Sequence, residues 1–172
     1  SLKSRFLTPP EFNHEERKKS WLKSRDCLLQ VSEQLRAQNI LPENTLFSLS
    51  HTDQASIALG AEKSALRGVG IDLEPISRAL SASAASKFVN ESERNLTINA
   101  IQIWVVKEAC YKANPKNLDT VIPEYRITEL KKTASTLEGI TVIRDQKIEF
   151  LLFLFEPGPL HRFWVSIAKM RI

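Results

Sequence analysis

Cysteine is scarce in this chain. Cys27 and Cys110 are the only two among 172 residues, and each falls in a stretch that reads as helix. Two isolated cysteines supply neither a disulfide framework nor a zinc pattern, so a reducing, cytoplasmic setting is expected. Long apolar runs are missing too. The longest, FLLFLF from Phe150 to Phe155, falls far short of the roughly 20 residues that span a bilayer. No repeat, low-complexity tract, long linker or secretory signal is visible. The chain starts SLKS without a methionine, which reads as a trimmed or tagged terminus.

The rest is ordinary globular composition. Hydrophobic residues make up 42% and charged residues 26%, which argues against disorder. The length fits one domain, or two small halves sharing a core. A net charge of +4 suits an anionic partner: nucleic acid, a phosphorylated cofactor or an acidic protein.

Residues 1–13, with Pro9 and Pro10, read as an extended lead-in, and residues 15–38 as a helix. Trp21, Leu28, Ser32 and Leu35 share one stripe of it, with Arg25 inside that stripe. TLFSLSH, Thr45 to His51, alternates like a strand, and residues 55–61 are placed to pair with it. GVGIDLEP, Gly68 to Pro75, follows as a third strand. Residues 80–95 read as a helix interrupted near Asn90, and residues 97–113 as a stronger helix. Pro115 and Pro123 mark a loop. RITEL, GITVI, KIEFLLFLF and HRFWVSIAKM read as strands of the remainder. This order predicts an α+β fold with antiparallel sheet rather than a doubly wound one.

The stretch GVGIDLEP carries the first chemical signal. At period two, Asp72 and Glu74 share one strand face with Gly70. Like charges there repel unless a cation lies between them, and oxygen ligands suit a hard cation such as Mg2+. A solvated strand face accounts for the pair equally well when it is taken alone. The helix at 97–113 shifts the balance. Its apolar stripe, Ile98, Ile101 and Val105, continues into Glu108 and Lys112, and ionised groups rarely extend a core stripe without partners. A surface Glu–Lys pair at helical spacing is the plain account. The sharper one brings Glu108 to Asp72 and Glu74, with Lys112 beside them, as in a Mg2+–phosphate site. His51 and Ser50 end a strand where both side chains can meet a phosphate, although a lone histidine there is more often a surface residue in a turn. Arg17, Lys18, Lys19, Lys23 and Arg25 form a basic run, and Arg25 stands out because it lies on the apolar stripe.

In this order the pieces resemble the 4'-phosphopantetheinyl transferase superfamily. That family pairs a strand ending G-[IV]-D-x-E with a later helix bearing W-x-x-K-E-[SA]-x-x-K. Here they stand as GIDLE, Gly70 to Glu74, and WVVKEACYK, Trp104 to Lys112. SLSHT, Ser48 to Thr52, is similar to the family's SxSHS element, with Thr52 in place of serine. FVNESE, Phe88 to Glu93, is similar to its FxxxE element. The chain exceeds the small homotrimeric holo-acyl-carrier-protein synthase type. It is closer to the surfactin-synthetase-activating type, a monomer of two pseudo-symmetric α+β halves. The first half, about residues 1–66, is short and has no G-K-P element before SLSH. The second, about 67–172, carries the metal-binding residues, the whole being one domain.

The resemblance implies transfer of 4'-phosphopantetheine from coenzyme A to a serine of an acyl or peptidyl carrier protein, releasing 3'-phosphoadenosine 5'-phosphate. Asp72, Glu74 and Glu108 would hold Mg2+ at the pyrophosphate, and Gly70 would leave room for it. Lys112 would contact or protonate the leaving phosphate, and Lys107 would reach the same phosphates. Glu108, Glu93 or a bound water would accept the serine proton. Ser50 and His51 would bind coenzyme A phosphates, with Arg17, Lys19 and Arg25 as partners for its 3'-phosphate. The rival readings are a degenerate member that binds coenzyme A without transfer, and a basic nucleic-acid-binding module. Against the latter stand the carboxylates, which repel phosphates unless metal is bound, and the lack of an aromatic RNA-binding motif. The expected partners are thus coenzyme A and a carrier protein, without nucleic acid or membrane.

Overall fold

The computed structural model of the chain describes residues 15–172, leaving aside the side chains of residues 16, 17 and 20. The expected lead-in at 1–13 and the Arg17 side chain lie outside what is described. The first helix, α1, runs Glu15–Ala37. It ends in a turn where Asn39 takes a positive φ of 63°, a conformation asparagine tolerates better than most residues. The strands β1, Thr45–His51, and β2, Ser56–Glu62, form an antiparallel hairpin with Thr45 opposite Glu62 and His51 opposite Ser56. Helix α1 lies on this hairpin: at Gly60 an added Cβ would stand 2.5 Å from a Leu35 methyl and 2.9 Å from Val31.

The strand β3, Leu66–Pro75, is the edge of a five-stranded antiparallel sheet ordered β3-β7-β6-β5-β4. The other strands are β4, Arg126–Lys132, β5, Thr136–Ile143, β6, Gln146–Gly158, and β7, His161–Arg171. All four C-terminal strands stand where alternation and β-branched content put them. One sheet face packs on the hairpin through Ile71, Leu73, Phe163 and Val165, with Ile57 and Leu59 from β2. The other packs on the long helix and holds the main core, including Val105, Val106, Ala109, Cys110, Ile148 and Leu152. Cys110 lies fully inside, where burial pushes its thiol up to about 12.

Residues 80–95 differ from expectation. Only Ala82–Ala85 form α-helix, the short α2, capped by the Ser81 hydroxyl, and a single 3-10 turn follows at Glu91–Glu93. Tertiary ties to this segment override its helical composition. The long helix, α3, runs Ala100–Ala113. Asn99 caps it, accepting from the Gln102 amide at 3.0 Å while the Gln102 side chain accepts from Asn99 N–H at 2.9 Å. Asn114 closes it, and Pro115 follows. No helix among the described residues is long and apolar enough to cross a membrane.

Candidate active site

Two glycines seat α3 against β3. A Cβ on Gly70 would stand 1.8 Å from the Ala109 carbonyl oxygen, and one on Gly68 1.9 Å from that of Ala113. With alanine on the helix and glycine on the strand, the backbones approach as closely as atoms allow. Gly70 therefore makes room for the helix, which corrects the expectation that it makes room for a bound ion. This seating carries Glu108 and Lys112 over the carboxylate face of β3.

Asp72 sits at the centre, 6% exposed. Its Oδ1 accepts from the Lys112 ammonium at 2.7 Å and from the Ser50 hydroxyl at 2.7 Å. Lys112 also donates to the Ile71 carbonyl at 3.2 Å. The other Asp72 oxygen, Oδ2, is buried and has no hydrogen-bond partner among the described residues. Burial, more than any neighbour, raises the Asp72 carboxyl. Lys112 and Ser50 oppose that rise, and Glu74 adds to it. Glu74 is equally sheltered: its Oε1 accepts from the Trp104 indole N–H at 3.2 Å and pairs with the Arg78 guanidinium. Glu108 completes the group. Burial raises its carboxyl first, and then the charges of Asp72 and Glu74, while Lys112 and Arg78 pull it down. The charges of Asp72, Glu74 and Lys112 thus all act on the Glu108 carboxyl. Among the described residues, however, no three carboxylate, histidine or cysteine side chains stand poised around one point. Two cations, Lys112 and Arg78, sit on the carboxylates instead.

Ser50 has a different place from the one expected. Strand β3 is a sheet edge whose outward N–H groups need acceptors. Ser48 Oγ accepts from Ile71 N–H at 3.0 Å, and Ser50 Oγ accepts from Leu73 N–H at 3.4 Å while donating to Asp72. The alternating serines of SLSH thus stitch the hairpin to the edge. Ser50, 6% exposed, holds the carboxylate rather than facing a phosphate. His51, next along, ends β1 with its side chain exposed. Lys19 is exposed on α1. Arg25 lies over the Trp21 ring, 4.9 Å from its centroid, and burial lowers its pKa.

Lys107 and Glu93 stand apart from the phosphate-binding and proton-accepting roles expected of them. Both side chains have no exposure, and Lys107 Nζ meets Glu93 Oε2 at 2.7 Å and the Phe88 carbonyl at 2.6 Å. Glu93 accepts further from Asn90 N–H and Ile127 N–H, both at 2.8 Å. Burial lowers the Lys107 pKa, and Glu93 partly restores it. The pair ties α3 to the 88–93 segment and to β4, and it presents nothing to solvent.

Sequence reasoning missed Arg78 and Trp104 as partners of Glu74. The tryptophan was visible as the first letter of the helix pattern, and Arg78 lies four residues after Glu74. An open cleft of about 510 Å3 begins beside them, lined by Arg78, Leu80, Phe88, Trp104, Tyr111 and Ile122. A larger groove, about 670 Å3, runs over β4 to β7 and includes none of the site residues.

No curated protein matches the chain. The family model described as the 4'-phosphopantetheinyl transferase superfamily matches residues 68–167. That span takes in all of GIDLE, the Trp104–Lys112 segment and most of the five-stranded sheet, which is more than half of the chain. The protein is a member of the 4'-phosphopantetheinyl transferase superfamily.

Proposed function

We propose that this transferase moves 4'-phosphopantetheine from coenzyme A to a serine of an acyl or peptidyl carrier protein in a Mg2+-dependent reaction. The observation that carries the reading is the Asp72–Lys112 contact within reach of the Glu74 and Glu108 charges. Asp72, Glu74 and Glu108 would hold the metal. Their donor set is all oxygen, as Mg2+ prefers, and Asp72 Oδ2 is a buried oxygen still lacking a donor. When bound, the metal neutralises charge on the transferred phosphoryl and on the leaving group.

The side chains supply the proton handling. Glu108, whose carboxyl is raised, takes the proton of the carrier serine as the serine oxygen bonds to the pantetheine phosphorus. The bridging P–O bond breaks, and 3'-phosphoadenosine 5'-phosphate leaves with a hydrogen bond or proton from Lys112. Lys112 is one-quarter exposed, so its ammonium reaches the site from its perch on Asp72. His51, Lys19, Arg25 and Arg17 are the proposed contacts to the coenzyme A phosphates. Helix α1 with the β1–β2 hairpin is read as a shortened first half, completing one domain that acts as a monomer in the cytoplasm.

The test is mass spectrometry of an apo carrier protein incubated with this protein, coenzyme A and Mg2+. A gain of one phosphopantetheine group, lost with chelator and with Asp72→Asn, supports the reading. Coenzyme A binding without any gain would instead mark a degenerate member. Failure to bind coenzyme A would overturn the reading altogether.

A further inference from the structure

Directly across from Asp72, on β7, stands Ser166. It has no exposure, and its hydroxyl has no hydrogen-bond partner among the described residues. Residues opposite one another in an antiparallel pair share a sheet face, with Cβ atoms ~4.5–5.5 Å apart. So two buried polar atoms without partners, Ser166 Oγ and Asp72 Oδ2, occupy neighbouring positions on the face that α3 covers. Buried polar groups rarely stay unpaired, and a hydroxyl left so costs free energy. Nothing in the packing requires a hydroxyl here: Leu152 is opposite Ser166 on β6, and Ala168 is the next β7 residue on the same face. Alanine would fill the position without leaving a donor unmet.

We infer that Ser166 is a positioning residue for the site. Its hydroxyl, which makes no direct hydrogen bond to Asp72 Oδ2 here, donates to that oxygen through one water and aims the carboxylate at the cation. Ser50 and Lys112 hold only Oδ1. Donors on Oδ1 alone set the direction of the second oxygen less tightly than a donor on each oxygen does. The second oxygen keeps a lone pair for the metal. The inference rests on the proposal that Asp72 binds the metal, and its test separates the two.

The experiment titrates Mn2+ into the full chain, followed by the electron paramagnetic resonance of free Mn2+, with thermal unfolding measured alongside. The proteins are wild type, Asp72→Asn, Ser166→Ala and Ser166→Thr. Loss of a residue that orients a metal ligand typically weakens affinity 10–100-fold, so Ser166→Ala should bind Mn2+ about tenfold more weakly. Without metal its melting temperature should fall slightly, because the buried Asp72 Oδ2 loses its donor. Threonine, which retains the hydroxyl, should recover most of the affinity. If Ser166→Ala binds like wild type while Asp72→Asn does not, the inference falls and the metal reading stands. If wild type itself binds no Mn2+, both fall.

Discussion

Lys107→Met tests whether the buried ion pair is framework or chemistry. Methionine nearly matches the lysine stem in volume, so little packing is lost. What changes is that Glu93 is left inside the protein without its counter-charge. It keeps two backbone donors, Asn90 and Ile127, at 2.8 Å. It loses an ammonium at 2.7 Å, and the Phe88 carbonyl loses a donor at 2.6 Å. Breaking one side of a buried pair costs about 3–5 kcal/mol, and the surviving donors put this case near the low end. For a domain of this size each kcal/mol moves Tm by about 2–4 °C, so a loss near 3 kcal/mol lowers it by about 6–12 °C.

Urea unfolding followed by circular dichroism reads the loss, and Glu93→Gln together with Lys107→Met/Glu93→Gln completes the cycle. Glutamine keeps an acceptor for Ile127 N–H but carries no charge. The double variant should therefore be more stable than Lys107→Met alone, with a coupling energy above about 1 kcal/mol. Transfer activity per folded molecule should survive in both. A Lys107→Met protein of wild-type stability with its coenzyme A affinity gone would refute the reasoning and return Lys107 to the phosphates.

Gly70→Ala should separate α3 from β3, because the new methyl meets backbone oxygen rather than a side chain that turns aside. Overpacking of this kind costs about 1–3 kcal/mol or more, visible as a drop in Tm together with weaker Mg2+ activation. Glu108→Gln should raise stability at neutral pH in the presence of chelator. Its folded-state carboxyl is raised, so as pH climbs the unfolded chain ionises first and the group costs stability. Below the ordinary glutamate pKa both states are protonated, so the gain in Tm should vanish towards about pH 4. A gain that persists in acid would place its cause elsewhere. Lys112→Met should lower kcat more than it weakens coenzyme A binding by calorimetry, whereas an affinity loss alone would make Lys112 a positioning group.

What the sequence disclosed and what it hid divide along α3. Period two placed Asp72 and Glu74 on one face of β3, and helical spacing placed Glu108 beneath Lys112; both are local patterns that survive folding. The face of the helix turned to the site is not a local property. Residues 107 and 108 are neighbours in sequence, yet each step turns about 100° around the axis, so one enters the core and the other the site. The packing of Ala109 and Ala113 on Gly70 and Gly68 decides between them. That small-on-small pairing was written in the sequence, and it is the signal that would have separated the two charges. With Ala109 against the strand, Glu108 and Lys112 flank the contact. Lys107, two steps round, points away from β3 towards the 88–93 segment, where only a buried carboxylate makes its charge tolerable. Glu93 of FVNESE supplies it. The same pairing makes the site depend on the seating of the helix as much as on its ligands. A change at Gly70 that leaves every carboxylate and Lys112 in place should therefore still disable the site.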